Sequence, residues 1–228
     1  MLKPVLLPLL SVPILILGAI PYAAAQDSDW YLTGVIGSTR YRMNLDSQVR
    51  NSCAGHCDVE SAALDGNNAT AYHFGGGYRV NPYLAVELAY VDLGHSGSHY
   101  RVVSGGITAD ITSRYRLDGY QASLLGRWPV TERFAVLGKL GVFAARLRYS
   151  ETGTEAFNPL PRSFTAPTDS STKTAFGLGA EYRLDPRWSI RADWDRYQGI
   201  GRRFAFTESE NGRFDSVDSF LLGVLYWF

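Results

Sequence analysis

From Tyr72 onward the chain alternates: Tyr72, Phe74, Gly76, Tyr78 and Val80 are apolar or small, and His73, Gly75, Gly77 and Arg79 fall between them. A period of two means an extended strand with two unlike faces. Similar runs recur, eight in all, approximately over Asp29 to Arg42, Thr70 to Val80, Tyr83 to Leu93, Ser113 to Trp128, Arg133 to Ser150, Thr172 to Leu184, Arg187 to Ile200 and Phe214 to Phe228. Each is about ten residues or a little more, the length that crosses bilayer hydrocarbon at a steep tilt. Past the N-terminal region no stretch approaches the roughly 18 apolar residues of a membrane helix, so any span must be β.

The connections alternate as regularly as the runs. Asn81-Pro82, Pro129 to Glu132 and Asp185-Pro186 read as tight turns, whereas Met43 to Ala69, Gly94 to Thr112, Glu151 to Ser171 and Gly201 to Arg213 are long and rich in Gly, Ser, Thr, Asn and Asp. Strict short–long alternation predicts an all-β, eight-stranded antiparallel up-and-down barrel with every short turn at one end, the asymmetry of outer-membrane barrels. Two hairpins resemble each other: Tyr78-Arg79-Val80-Asn81-Pro82 matches Tyr182-Arg183-Leu184-Asp185-Pro186, and Leu84, Val86 and Tyr90 match Trp188, Ile190 and Trp194.

Volume decides which face turns outward. The third run sets Leu84, Val86, Leu88 and Tyr90 against Ala85, Glu87, Ala89 and Val91; the seventh sets Trp188, Ile190, Ala192 and Trp194 against Ser189, Arg191, Asp193 and Asp195. The lumen of an eight-stranded barrel is just wide enough to be filled by side chains, so the bulky face goes out to lipid. Arg79, Glu87, Arg127, Lys139, Glu181, Arg183, Arg191, Asp193 and Asp195 then face inward, with signs that roughly cancel. Such charges are tolerable inside only if paired and hydrogen-bonded, so a polar plug is expected. It reads either as a static filling or as a gate that exchanges ion-pair partners, with Glu87 and Arg191 at equivalent hairpin positions. Trp30, Tyr83, Trp128, Phe134, Trp188 and Trp227, near the short-turn ends, are expected to form an interfacial girdle.

Composition adds compartment. Lys3, the apolar stretch Val5 to Ile20 and the small residues Ala23 to Ala25 ahead of Gln26 have the order of a secretory signal peptide, so residues 1–25 are expected to be removed and 26–228 to form one barrel domain. With 22 basic and 22 acidic residues and no basic run, nothing predicts nucleic-acid binding. An exported chain can keep a disulfide, and Cys53 and Cys57, in the longest connection, are expected to form one. With His56 between them they also suggest a metal site, but a tetrahedral site needs more ligands than lie nearby, and neither metal nor cofactor is expected.

The last run puts Phe220, Leu222, Val224, Tyr226 and Phe228 on its outward phase. This looks like the signal that barrel-assembly machinery reads by strand pairing at an exposed edge. Together with Trp30-Tyr31-Leu32-Thr33-Gly34, Glu87-Leu88-Ala89-Tyr90, Gly177 to Arg183, Trp188 to Tyr197 and Val217-Asp218-Ser219, the chain resembles the OmpA-like transmembrane domain and the small outer-membrane barrels around it. The resemblance implies a multi-pass barrel in the bacterial outer membrane after Sec export, in contact with lipid and lipopolysaccharide. It implies roles in envelope integrity, adhesion of long loops to host or environmental ligands, and at most narrow or gated solute passage. Many members add a peptidoglycan-binding domain, which a chain ending at Phe228 is not expected to supply.

An alternative is a lipid A-modifying enzyme, since some small outer-membrane barrels remodel that lipid. Hydrolase or acyltransferase chemistry needs Ser and His within hydrogen-bond reach. The candidates are His95, Ser96, Ser98 and His99, in a Gly-rich connection with no evident third orienting group. His73 falls on the inward phase and is expected to serve the lumen network. No catalytic residue is assigned.

Overall fold

A computed structural model describes residues 29–46, 58–65, 68–155, 158–165, 168–202 and 212–228. Residues 1–25 and the Cys53–Cys57 pair lie outside the described residues. The strands are β1 (Trp30–Arg42), β2 (Asp58–Asp65), β3 (Asn68–Asn81), β4 (Leu84–Ser104), β5 (Ile107–Pro129), β6 (Phe134–Glu155), β7 (Asn158–Thr165), β8 (Asp169–Arg183), β9 (Trp188–Gln198), β10 (Gly201–Arg202), β11 (Gly212–Arg213) and β12 (Ser216–Trp227).

Eight of them close a ring by antiparallel pairing, in the order β1, β3, β4, β5, β6, β8, β9, β12 and back to β1. The seam is continuous from Tyr31↔Trp227 to Arg42↔Ser216, so the first and last barrel strands abolish each other's edges. Among the described residues no helix is long and apolar enough to cross a membrane.

The short turns form because their side chains hold the backbone. Asn81 Oδ1 accepts from the Tyr83 N–H at 2.8 Å, Thr131 Oγ1 from the Phe134 N–H at 2.9 Å, and Asp185 Oδ1 from the N–H groups of Arg187 at 2.8 Å and Trp188 at 2.9 Å. From these turns the strands climb with even-numbered residues outward. Leu32, Phe74, Leu88, Leu124, Leu140, Leu178, Ile190 and Leu222 make an exposed apolar band.

Two sequence expectations are corrected. First, Gly94 to Thr112 is not a loop: β4 and β5 stay paired from Leu84↔Gly126 to Ser104↔Ile107. β2 pairs with β4 from Asp58↔Val103 to Asp65↔Gly97, and β7 pairs with β6 from Ser150↔Thr165 to Glu155↔Asn158. A five-stranded ribbon, β2–β4–β5–β6–β7, therefore stands above one side of the barrel. Strands β4 and β5 run to 21 and 23 residues, against the roughly 9–11 needed to cross hydrocarbon. Second, Trp227 does not join the girdle. It sits on the inward phase and is 4% exposed, whereas Trp128 is 75% exposed.

Candidate functional site

The lumen is built in layers, because inward side chains on neighbouring strands fall in register. Nearest the short turns, Arg79 Nε donates to Asp29 at 3.1 Å and Arg127 Nη2 to Glu181 at 3.2 Å. The Trp227 ring lies between two guanidinium groups, with Arg79 at 4.6 Å and Arg183 at 5.4 Å from its centroid, and its Nε1 donates to Ser189 Oγ at 3.1 Å. A cation on an aromatic face is attracted by the ring quadrupole, which explains the inward placement of this tryptophan.

The middle layer holds the buried charges. Arg191 donates to Glu87 across the barrel, to Asp193 at 2.8 Å and to Thr33 at 3.2 Å, while the Tyr31 hydroxyl donates to Glu87 at 2.8 Å. Lys139 Nζ lies 3.1 Å from Asp195 and 3.7 Å from Asp193, and His73 Nδ1 is 3.8 Å from Asp195. Glu87 and Asp195 thus sit against Arg191 and Lys139 respectively, with Asp193 touching both cations. Room for the carboxylates comes from glycines opposite them: a Cβ on Gly177 would stand 2.3 Å from Asp195 Oδ1, and one on Gly179 2.6 Å from Asp193 Oδ1.

Above this network the lumen turns apolar, which the sequence reading did not anticipate. Tyr41, Leu117, Phe143, Tyr197, Phe214 and Leu221 belong to one buried cluster, with Phe143 and Tyr197 ring centroids 5.0 Å apart. The Tyr197 hydroxyl joins the layers by donating to Gln121 Oε1 at 2.9 Å. Small inward residues make the space: a Cβ on Gly119 would meet Phe143 Cε2 at 2.9 Å, and Ala71, Ala145 and Ala175 line the same cluster.

The serines and histidines singled out as catalytic candidates do not assemble. On β4, Ser96 and Ser98 are buried on the inner face while His95 is exposed, so the strand itself separates serine from histidine. His99 instead contacts Thr112 Oγ1 at 3.3 Å on β5. Higher on the ribbon, the Tyr149 hydroxyl donates to Glu151, whose carboxyl burial pushes up to about 7. Nearby, the Arg101 guanidinium bonded to Asp110 holds that exposed carboxyl below its usual range.

On the outer face, directly above the apolar band, stands a set of arginines. Arg40, Arg42, Arg114, Arg116, Arg146, Arg148 and Arg196 occupy even, outward positions, with Asp92, Asp118 and Asp218 among them. The signal was present in the sequence as Arg-x-Arg at 40–42, 114–116 and 146–148, a period-two repeat at the upper end of three strands.

Comparison with known proteins agrees with this architecture. A model of the outer membrane protein beta-barrel domain matches residues 9–228. Outer membrane protein A of Shigella dysenteriae is 25% identical over 213 residues, covering 90% of this chain and 50% of that protein, and outer membrane protein P5 of Haemophilus influenzae is 25% identical over 188 residues, covering 81% and 48%. The chain thus spans about half the length of the curated relatives it matches. Among solved structures, Ail, the attachment invasion locus protein of Yersinia pestis, aligns at 15% identity and a TM-score of 0.45 over 89% of this chain and 100% of that one, a likeness too loose to carry an argument. With the family model spanning nearly the whole chain and the ring of eight strands beneath it, this chain belongs to the outer membrane protein beta-barrel domain family and is an integral β-barrel of the bacterial outer membrane.

Proposed function

We propose that the chain is a closed structural barrel, not an enzyme, whose interaction surface is the tall ribbon β2–β4–β5–β6–β7. The observation that carries this is the doubly filled lumen: an ion-pair layer centred on Arg191 and Lys139, capped by the cluster around Phe143 and Tyr197. Open diffusion would require displacing both layers, so the inward charges act as filling. Residues 1–25 serve as the export signal, a Cys53–Cys57 disulfide stiffens the first long connection, and the outward row of β12 from Phe220 to Phe228 is the segment read during barrel assembly. The separation of Ser96 and Ser98 from His95 across β4 supports a binding role over lipid A remodelling. The ribbon offers a paired, polar, rigid surface to ligands outside the cell, in keeping with adhesion or envelope organisation.

Planar-bilayer recording tests the closure. Purified protein should give no unitary conductance steps above the leak of the bare membrane. Steady, voltage-independent steps from the unmodified chain would refute the sealed-lumen reading. Mass spectrometry of lipid A from cells with and without the protein should give identical spectra, and an added or lost acyl chain would restore the enzyme reading.

A further inference from the structure

The lumen holds one pair that neutralisation alone does not account for. Of the 22 Lys and Arg residues, all but Lys3, Lys139 and Lys173 are arginine. Guanidinium neutralises carboxylates as well as ammonium does and makes more directed bonds, as Arg191 does in the same layer. What a lysine adds is an amine, which becomes a nucleophile once it gives up a proton.

Strand register brings that amine to a carboxyl group. Lys139 on β6 is opposite Gly177 on β8, and Gly177 is opposite Asp195 on β9, so the three lie in one row. Neighbouring strands are about 4.8 Å apart, which leaves β6 and β9 about 10 Å apart, with room for contact only because Gly177 puts no side chain between them. Lys139 Nζ lies 3.1 Å from Asp195 Oδ1 and 3.2 Å from Oδ2, nearly equidistant, so it faces the carboxyl carbon rather than a single oxygen. Only Oδ2 receives its hydrogen bond; Asp195 Oδ1 and Asp193 Oδ1 accept none among the described residues. Arg191 holds the other oxygen of Asp193 at 2.8 Å, and Asp193 Oδ1 stands 3.7 Å from the lysine nitrogen. The lysine side chain is 4% exposed and those of both aspartates 1%, beneath the apolar cluster of Phe143 and Tyr197.

We propose that Lys139 and Asp195 condense to an isopeptide bond that ties β6 to β9 across β8, the ion pair in the structure being its reactant state. Within the pair the ammonium passes one proton to the Asp195 carboxylate; amine and acid replace two desolvated charges with no change in net charge. The amine adds to Asp195 Cγ, forming the Nζ–Cγ bond. Asp193 Oδ1 takes a second proton from the nitrogen and returns it to the Asp195 hydroxyl, the Cγ–O bond breaks, and water leaves. Asp193 ends as it began, and no oxidant or reductant enters. Groups held in this way act at effective concentrations of about 10⁵–10⁸ M, and the apolar layer above keeps out the water that hydrolysis needs. An arginine at 139 would leave the row unreacted, because its guanidinium stays protonated. The bond goes beyond the sealed-barrel reading and adds a covalent closure inside it.

The test is the mass of the full chain extracted folded from outer membranes, taken intact and after complete tryptic digestion. Wild type should be lighter by one water than the sequence that starts at its measured N-terminus. Trypsin does not cut at an acylated lysine, so segment 134–146 should appear joined to segment 192–196, and the free peptide 134–139 should be lost. Lys139→Arg keeps the positive charge, lacks the amine, and should carry its full sequence mass. Heat-modifiable gel migration scores folding separately. Folded wild type of full sequence mass that releases free peptide 134–139 would overturn the bond, and so would a missing water located in any other peptide. Wild type decides the matter by itself if Lys139→Arg does not fold.

Discussion

Arg191→Met is the most informative single perturbation of the lumen. It removes a guanidinium, 2% exposed, that donates to Glu87, to Asp193 at 2.8 Å and to Thr33 at 3.2 Å. Left behind are Glu87, Asp193 and Asp195 around Lys139, which already spans Asp195 at 3.1 Å and Asp193 at 3.7 Å. Glu87 retains the Tyr31 hydroxyl at 2.8 Å but faces no replacement cation. Removing one partner of a buried pair costs about 3–5 kcal/mol, because the other charge stays desolvated. Replacing both partners is far gentler, so Arg191→Met/Glu87→Gln is expected to lose only about 1–2 kcal/mol, about 1–4 kcal/mol less than the single variant. Reversible guanidinium unfolding in phospholipid vesicles, followed by tryptophan fluorescence, measures both variants. A single variant within about 1 kcal/mol of wild type, or a double variant as unstable as the single, would refute a lumen held by mutual neutralisation.

Other predictions concern the ribbon and the space around the carboxylates. Burial raises Glu151 from the model-peptide value of 4.5 to about 7, so the folded ribbon binds the proton more tightly than the unfolded chain does. Its stabilising contribution is full below about pH 4.5 and fades as pH rises through about 7. Amide exchange in β5 and β6 near Ser113 and Glu151, corrected for intrinsic rates, should therefore be slower at pH 5 than at pH 8, and Glu151→Gln should flatten the difference. Gly177→Val would drive a Cβ to 2.3 Å from Asp195 Oδ1 and 2.5 Å from the Trp194 carbonyl, and is expected to cost about 1–3 kcal/mol in the same vesicle unfolding assay. Gly138→Ala, where a Cβ meets nothing within 4 Å, should be nearly neutral and serves as its control.

Much of the barrel is legible in the sequence because one physical rule governs every span. Hydrocarbon outside and a narrow lumen inside force side chains such as Leu88 and Glu87 onto opposite faces, which the period-two pattern records directly. The turns at Asn81, Thr131 and Asp185 are legible for a similar reason, since each side chain caps its own backbone. The ribbon is not. Above the membrane the covered face of β4 and β5 mixes buried serines, Ser96, Ser98 and Ser113, with Tyr100 and Ile111, so Gly94 to Thr112 loses its apolar–polar alternation while keeping its hydrogen bonds. The apolar lumen layer escaped because a volume argument sends bulky residues outward strand by strand. Phe143 fits inside only because Gly119 and Ala145, two neighbouring inward positions on the β5–β6 pair, are small, a complementarity that appears only in register. Trp227 was misplaced by its position near a strand end. Its phase, odd like Leu225 and Leu221, already put it inside.

Trp194 and Trp227 make the orientation of the whole wall measurable. Trp194 lies on the outward row between Leu178 and Phe220, and Trp227 lies inside, 4% exposed, between Arg79 and Arg183. Two variants, each retaining one of these tryptophans with the other four replaced by Phe, are folded into vesicles of phosphatidylcholine with brominated acyl chains. Bromine quenches indole only at contact range, so Trp194 emission should fall strongly while that of Trp227 stays close to its value in unbrominated lipid. Equal quenching of the two, or quenching of Trp227 with Trp194 spared, would contradict a barrel that turns its apolar face to lipid and its charges inward.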